Sequence, residues 1–203
     1  MSRISAVMSR TLGAGAALLI SACVASGPLP SNEPLAPRPG QIVNTHAHLA
    51  GVTSGDPGGP HEDYLGAARA GIAAKDRHGI AFSLLMPPPR EPGTEDRYTF
   101  EIFRGVLARW PDRYGVVGGG TLLNPLIHAI AAGRVDDGDR QRFTQRANAI
   151  AAAGAKGFGE FAALHLSMQP WHPFLEVAPD HPLFLLLADI AARHGLPVDI
   201  HME

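Results

Sequence analysis

The sequence has 203 residues, of which 45% are hydrophobic and 18% charged, a composition typical of globular proteins rather than of disordered chains. Its 17 lysines and arginines are offset by 19 aspartates and glutamates, which leaves a formal net charge of −2. No basic stripe of the kind that binds nucleic acid runs through the chain, and this argues against a nucleic-acid partner.

The first 22 residues predict a signal peptide. Arg3 and Arg10 precede a short apolar stretch, and small residues follow it just before Cys23. A basic start, a short apolar run and small residues at the cleavage position are typical of a secretory signal. The thirteen residues from 11 to 23 are also too few to cross a hydrocarbon core of ~30 Å as a helix.

Cys23 is the single cysteine, so the chain offers it no disulfide partner. The run Ile-Ser-Ala-Cys that ends there resembles a bacterial lipobox. The resemblance implies a lipid on Cys23 and, in a Gram-negative bacterium, anchorage at the outer membrane facing the periplasm. Loss of residues 1–22 would remove two arginines and no acid, and would change the net charge from −2 to −4. A plain secretory signal, with no role for Cys23, is the alternative.

Residues 23–40 predict an extended tether between the lipid and a folded domain. This segment contains five prolines and almost no aliphatic periodicity. Proline-rich segments of this kind are extended and semi-rigid. The folded domain is therefore predicted over residues 41–203.

Within the domain, short apolar runs alternate with helical patterns. The runs cover residues 41–49, 80–86, 114–118, 155–161 and 196–201, and the helices are predicted over 62–78, 95–110, 140–153 and 182–194. Two of these helices end in Arg-His-Gly, which places cations at the negative helix end and a glycine where φ can become positive. This β–α order predicts a parallel α/β sheet or barrel.

The spacing of the strands sets how much of such a fold the sequence contains. The predicted strands begin near residues 42, 80, 114, 156 and 196, whereas a complete (β/α)₈ barrel usually needs ~250 residues or more. The prediction is therefore a TIM-type (β/α)₈ barrel truncated to about its first five βα units, ending where a strand meets its catalytic loop. A five-stranded open α/β sheet is the alternative.

Two histidines end the first predicted strand. His46 and His48 follow the apolar pair Ile42-Val43, and residues two apart in a strand point to the same face. Active sites of barrel enzymes lie at the carboxyl ends of the strands. Because neutral imidazole is a common ligand of zinc and similar ions, the pair predicts part of a divalent-metal site. Surface or hydrogen-bonded histidines are the alternative interpretation.

Ligand residue types recur at two later strand ends. Glu160 ends the fourth run, beside glycines that allow backbone or ligand to approach closely, and His201 ends the fifth. Each has an ordinary structural alternative, a solvated loop acid and a buried core histidine respectively. Their position at strand ends adds them to the candidate site.

Together, the strand-end His-x-His pair, the strand-four glutamate and the strand-five histidine resemble the amidohydrolase superfamily, in particular its amidohydrolase-related metal-dependent hydrolases. The likeness covers residues 41–203, about the first five-eighths of that barrel. It implies that His46 and His48 bind one ion, that Glu160 stands where relatives have a bridging carboxylated lysine or a glutamate, and that His201 is the strand-five ligand. The implied cofactor is one or two divalent ions, with zinc favoured.

The family also has a histidine at strand six and an aspartate at strand eight that orients or deprotonates the attacking water. The sequence stops before either strand, so the general base is expected beyond residue 203. The chain alone is therefore expected to be weakly active or inactive.

The predicted function is hydrolysis of an amide, ester or cyclic C–N bond of a small molecule by a metal-activated water. Arg90, Trp171 and His172 lie on predicted βα loops and are candidates for substrate binding, with loop packing as the alternative. Arg90 could hold a substrate carboxylate with two hydrogen bonds.

A metal-dependent decarboxylase of the same superfamily and a non-catalytic lipoprotein binding module remain open as alternative functions. A nuclease built on the same His-x-His pair is disfavoured by the acidic, exported chain. The sequence does not indicate the oligomeric state.

Overall fold

The computed structural model describes residues 41–49, 52–53, 61–93, 100–168 and 173–202. The predicted signal peptide, the tether with Cys23, and the candidate residues Trp171 and His172 lie outside this part of the chain. What the sequence indicates about them, including export and lipid attachment, stays a prediction. No helix among the described residues has both the length and the apolar character that a membrane span requires.

Strands and helices alternate along the described residues, as the sequence predicts. The strands are β1 (Ile42–Ala47), β2 (Val52–Thr53), β3 (His61–Glu62), β4 (Ile80–Leu85), β5 (Tyr114–Val116), β6 (Gly118–Gly119), β7 (Phe158–His165), β8 (Leu175–Glu176) and β9 (Val198–Met202). The α-helices are α1 (Tyr64–His78), α2 (Arg104–Arg109), α3 (Asn124–Ala129), α4 (Asp137–Ala152) and α5 (Pro182–His194). Short 3₁₀ helices lie at Phe100–Phe103 and Ala132–Arg134.

The long strands are parallel, and they lie side by side in the order of the sequence. β1 pairs with β4, β4 with β5, β6 with β7, and β7 with β9. Only Val117 separates β5 from β6, and its amide donates to the Leu85 carbonyl at 2.8 Å, so the sheet continues across the break. The described strands show none of the reversal of order that marks a doubly wound open sheet.

The sheet is strongly curved. Three strand positions separate β1 from β9, so in a flat sheet they would lie about 19 Å apart, four spacings of ~4.8 Å. Yet Nδ1 of His46 on β1 lies 3.5 Å from Oδ2 of Asp199 on β9. Two side chains of this size cannot span the flat-sheet distance, so a flat open sheet does not account for the contact.

The helix ends follow from their sequences. Both Arg-His-Gly endings are confirmed, because Gly79 and Gly195 follow α1 and α5 with φ of 69° and 64°. α5 has the predicted bounds, with Pro182 in its first turn and the Nδ1 of His181 accepting from the Leu183 amide. α4 begins three residues earlier than predicted, at Asp137, because Asp136 and Asp139 form a reciprocal capping box.

The core lies between the sheet and its helices. Its largest fully buried side chains are contributed by α4, α5, β7 and their neighbours, and include Phe143, Phe158, Phe161, Leu187 and Ile190. Burying one such side chain contributes roughly 1.5–3 kcal/mol relative to leaving it exposed. This packing fixes the strands that carry the candidate ligands.

Two sequence predictions need correction, and two short elements were missed. Of the helix predicted over 95–110, the described part from Phe100 onward is a 3₁₀ turn followed by the short α2, and α2 ends with Arg109. The fourth long strand begins at Phe158 instead of Ala155 and extends to His165, so Glu160 lies near its start. α3 and the short antiparallel β8 were not predicted, because neither is long enough to show a periodic pattern.

Candidate metal centre

The two histidines of the first strand converge on one point. His46 lies within β1 near its carboxyl end and His48 follows the strand directly. Their Nε2 atoms are 3.2 Å apart and their rings are nearly perpendicular, with centroids 5.0 Å apart. The backbone amide of His46 donates to Oδ1 of Asn44 at 3.1 Å, which fixes the chain locally. Both imidazoles therefore present Nε2 to the same space.

The other nitrogen of each ring faces an oxygen. Nδ1 of His48 lies 3.0 Å from the carbonyl of Met86, just after β4. A carbonyl only accepts hydrogen bonds, so His48 carries hydrogen on Nδ1 and, when neutral, directs the Nε2 lone pair into the site. Nδ1 of His46 lies 3.5 Å from the Asp199 carboxylate. This is the arrangement that metal-binding histidines adopt, one nitrogen toward the ion and the other toward a protein oxygen.

Glu160 on β7 brings a carboxylate to the same point. Glu160 is buried, with 2% of its surface exposed. Its Oε2 lies 3.2 Å from Nε2 of His48 and 3.7 Å from Nε2 of His46. Oε2 is fully buried and makes no hydrogen bond of good geometry. A buried carboxylate oxygen without such a partner is costly unless a cation neutralises it.

Packing around two glycines lets β7 deliver this carboxylate. Gly120 has the carbonyl oxygens of Pro87 and Glu160 2.6 and 2.7 Å from where its Cβ would be, so any side chain there would separate β7 from the loop after β4. On the other side, the Cβ of Asp199 lies 2.7 Å from the corresponding position of Gly159. Both glycines permit close approach of neighbouring strands at the level of Glu160.

The three residues fit a divalent metal ion. Their ligand atoms all lie within 4.8 Å of one another. Two ligands bound tetrahedrally at 2.0–2.2 Å from one zinc ion are about 3.3 Å apart, close to the distances between the His46, His48 and Glu160 atoms. Two imidazole nitrogens and a carboxylate oxygen are also a donor set that zinc accepts.

His201, the fourth candidate ligand, contacts the opposite oxygen of the same carboxylate. Its Nδ1 makes a short ion-pair contact with Oε1 of Glu160, and its ring is 18% exposed. It lies outside the three-residue group that surrounds Oε2. The structure thus brings all four predicted residues together, but it separates His201 from the two histidines by the Glu160 carboxylate.

Charges in the site reinforce one another. Burial opposes ionisation of Glu160, but the three surrounding histidines outweigh burial and hold the pKa of its carboxyl below the ordinary value. The interaction with Glu160 in turn raises the pKa of His48, against the opposing effect of burial. In the absence of metal, the ionised carboxylate and a protonated His48 therefore stabilise each other.

Two residues at the site were missed by the sequence reasoning. Asp199 stands two residues before His201, so the period of a strand places both on one face, and that spacing was the available signal. His165, at the end of β7, packs its ring 4.8 Å from the ring of His201 and has Nδ1 2.6 Å from the Pro173 carbonyl. Nothing in the sequence distinguished His165 from the other histidines.

Arg90, a candidate for substrate binding, has a rigidly held backbone. Its amide donates to the Gly120 carbonyl at 3.0 Å, and Nδ2 of the fully buried Asn124 donates to its carbonyl at 2.9 Å. Oδ1 of Asn124 also accepts from the amide of Ala162, two residues beyond Glu160. One buried amide side chain therefore joins the loop of Arg90 to the strand of Glu160.

Comparison with known proteins gives little beyond this geometry. No protein-family model matches the sequence, and no curated protein matches it. Among solved structures, the chain is similar to a probable 2-pyrone-4,6-dicarboxylic acid hydrolase from Acinetobacter baumannii, crystallised with citric acid bound. The two are 12% identical with a TM-score of 0.43, over 80% of this chain and 49% of that one. The chain thus spans about half the length of that protein, and a likeness at this level carries no argument about function.

Proposed function

We propose that this protein is a metal-dependent hydrolase of the amidohydrolase type, with His46, His48 and Glu160 as ligands of a divalent ion. The observation that supports it is the convergence of two Nε2 atoms and one buried carboxylate oxygen at distances between 3.2 and 3.7 Å. Two strands distant in sequence, β1 and β7, build this point, which an incidental surface histidine pair would not require. We favour zinc because of the donor set.

The proposed substrates are small molecules with an amide, ester or cyclic C–N bond. A zinc ion bound at this point would lower the pKa of water to about 7 and polarise the carbonyl oxygen next to the bond to be cleaved. The chain itself contributes the orientation of the His48 ring, through the Met86 carbonyl, and the buried charge of Glu160. His201 holds the second oxygen of that carboxylate and so restricts its rotation.

We also propose that the described sheet is part of a (β/α)₈ barrel. The parallel strands in sequence order and the strong curvature support this, as do His46 and His201, which lie near the carboxyl ends of their strands. A closed barrel would bring further strands, and with them a general base, to the same face.

The test is metal content. Wild type purified with zinc and passed through gel filtration should retain stoichiometric metal by elemental analysis, whereas His48→Ala should retain almost none. His78→Ala is the matched control, because His78 is exposed at the end of α1, and it should bind as wild type does. A wild type without metal, as a non-catalytic binding module predicts, or a His48→Ala variant with unchanged metal would refute the proposal.

Decarboxylation is a second candidate, because the loop of Arg90 is held through Asn124 close to the strand of Glu160. An arginine on this loop would suit a carboxylate substrate, which a decarboxylase requires and a hydrolase can also use. Assays of the metal-loaded protein for carbon dioxide release and for hydrolysis of activated esters separate the two.

A further inference from the structure

We infer that Asp199 is a positioning residue for His46, in that its carboxylate accepts the Nδ1 hydrogen of the ring and holds the Nε2 lone pair toward the metal position. The inference rests on the proposed metal site and adds a residue that lies outside the His46–His48–Glu160 group. No ligand role is assigned to Asp199 itself.

The first support is the direction of the ring. Oδ2 of Asp199 lies 3.5 Å from Nδ1 of His46, while Nε2 lies 3.2 Å from Nε2 of His48 on the other side. Neutral imidazole carries one hydrogen, and the nitrogen that carries it is set by the acceptor it faces. The Asp199 oxygen near Nδ1 is closer than the Glu160 oxygen near Nε2, at 3.5 against 3.7 Å, so it favours hydrogen on Nδ1 and leaves the lone pair on Nε2, where a metal requires it.

The second support is the contrast with His48. The Nδ1 of His48 faces a backbone carbonyl, that of Met86, which no side-chain substitution removes. Among the described residues, the oxygen that lies near Nδ1 of His46, at 3.5 Å, belongs to the side chain of Asp199. A single substitution of Asp199 on β9 can therefore remove the group that orients the His46 ring.

The third support is the packing that brings Asp199 close enough. The Cβ of Asp199 occupies the space that a side chain at Gly159 would fill, 2.7 Å from the position of the missing Cβ. β7 and β9 approach each other at this level, one residue before Glu160. The same close contact thus places Glu160 and Asp199 on either side of the His46 ring.

Exposure indicates that this contact does little for the stability of the fold. The side chains of His46 and Asp199 are 42% and 36% exposed, and ion pairs at such positions contribute only ~0–1 kcal/mol. A role in orienting the ring therefore predicts that removing Asp199 weakens metal binding while the protein stays folded.

The experiment compares Asp199→Ala and Asp199→Asn with wild type and with Asp189→Ala, a control on an exposed residue of α5. Zinc affinity is measured by competition with a chelating indicator. Asp199→Ala should bind zinc about 10–100-fold more weakly, as substitutions of such oxygen partners generally do. Asp199→Asn keeps an oxygen that can accept from Nδ1 and should lose less than the alanine variant, and Asp189→Ala should match wild type.

A second readout needs neither metal nor activity. Ring ¹⁵N shifts of His46, assigned by their loss in His46→Asn, should show hydrogen on Nδ1 in metal-free wild type at a pH where the ring is neutral. Hydrogen on Nε2 in wild type would overturn the inference, as would wild-type zinc affinity in Asp199→Ala. If wild type itself binds no zinc, the proposed function fails instead, so the two failures are distinguishable.

Discussion

At the scale of single residues, two buried charged side chains are accommodated in different ways. Glu160 is surrounded by three histidines and lies in the candidate metal centre. Lys75, 5% exposed, lies far from that centre in sequence and places Nζ 3.5 Å from the centroid of the Tyr114 ring. Nζ also donates to the carbonyl of Arg113 at 2.7 Å. Burial is the main reason that the pKa of Lys75 falls from 10.5 to about 8, with nearby Arg113 adding to it.

This lowered pKa predicts a pH-dependent contribution to stability. Between pH 8 and 10.5 the unfolded chain keeps the Lys75 proton that the folded chain has lost, so the free energy of unfolding rises with pH in this window. Lys75→Met should abolish that rise. The difference between wild type and variant should change by up to ~3 kcal/mol across the window. Urea denaturation at a series of pH values measures it.

The substitution leaves no other group unsatisfied, because the Arg113 carbonyl also accepts from the Ser83 amide at 3.0 Å. Lys156→Met, which removes a less buried lysine, provides the control for the loss of one positive charge. Parallel pH profiles for wild type and Lys75→Met would contradict the prediction.

At the scale of elements, α3 connects two other parts of the fold through its first residue, Asn124. Asn124 begins that short helix and is fully buried, where it bonds both the Arg90 carbonyl and the Ala162 amide. Asn124→Ala would remove both bonds, and the buried Ala162 amide would lose its Asn124 partner, at about 1–3 kcal/mol. We expect the free energy of unfolding to fall by roughly 2–4 kcal/mol.

Urea denaturation tests this expectation, with Asn148→Ala as the matched control. Asn148 is exposed and bonds the His194 ring at 2.9 Å, so its loss should change stability by no more than ~0.5 kcal/mol. Equal effects of the two substitutions would mean that Asn124 does not join the Arg90 loop to β7.

The elements that could be predicted from sequence are those with a long periodic pattern or a strong end signal. α1 and α5 had both, β1 began with the apolar pair Ile42-Val43, and β4 was a largely apolar run followed by prolines. α3 has six residues and no side-chain cap, so a proline in its first turn was its main local signal. The fourth long strand was displaced because the small residues before Phe158 form a turn, although their apolar character resembles a strand.

The same distinction between local patterns and overall packing applies to the residues of the candidate site. The alternation of a strand was enough to pair His46 with His48. The ends of the apolar runs pointed to Glu160 and His201, although Glu160 lies near the start of β7 and not at its end. The contact between His46 and Asp199 depends on how far the sheet curves between its first and last described strands. Curvature arises from the packing of all strands together, and no local pattern in the sequence records it.

At the scale of the whole molecule, the candidate centre connects parts of the sheet that do not pair. β1 hydrogen-bonds only with β4 among the described strands, yet its histidines reach Glu160 on β7. A metal ion held by these residues would link the first strand position to the fourth across the concave face. Because the unfolded chain does not hold the three ligands together, binding would favour the folded state.

Metal should therefore raise the melting temperature of the protein. At a free zinc concentration 100-fold above the dissociation constant the folded state gains ~2.7 kcal/mol, which corresponds to roughly 5–10 °C for a chain of this size. Differential scanning calorimetry with zinc and with a chelator measures the shift. The double variant His46→Ala/His48→Ala should melt at the same temperature in both conditions. A shift that persists in the double variant would mean that zinc acts through other residues. Equal melting temperatures of wild type with and without zinc would mean that zinc does not stabilise the folded state through this site.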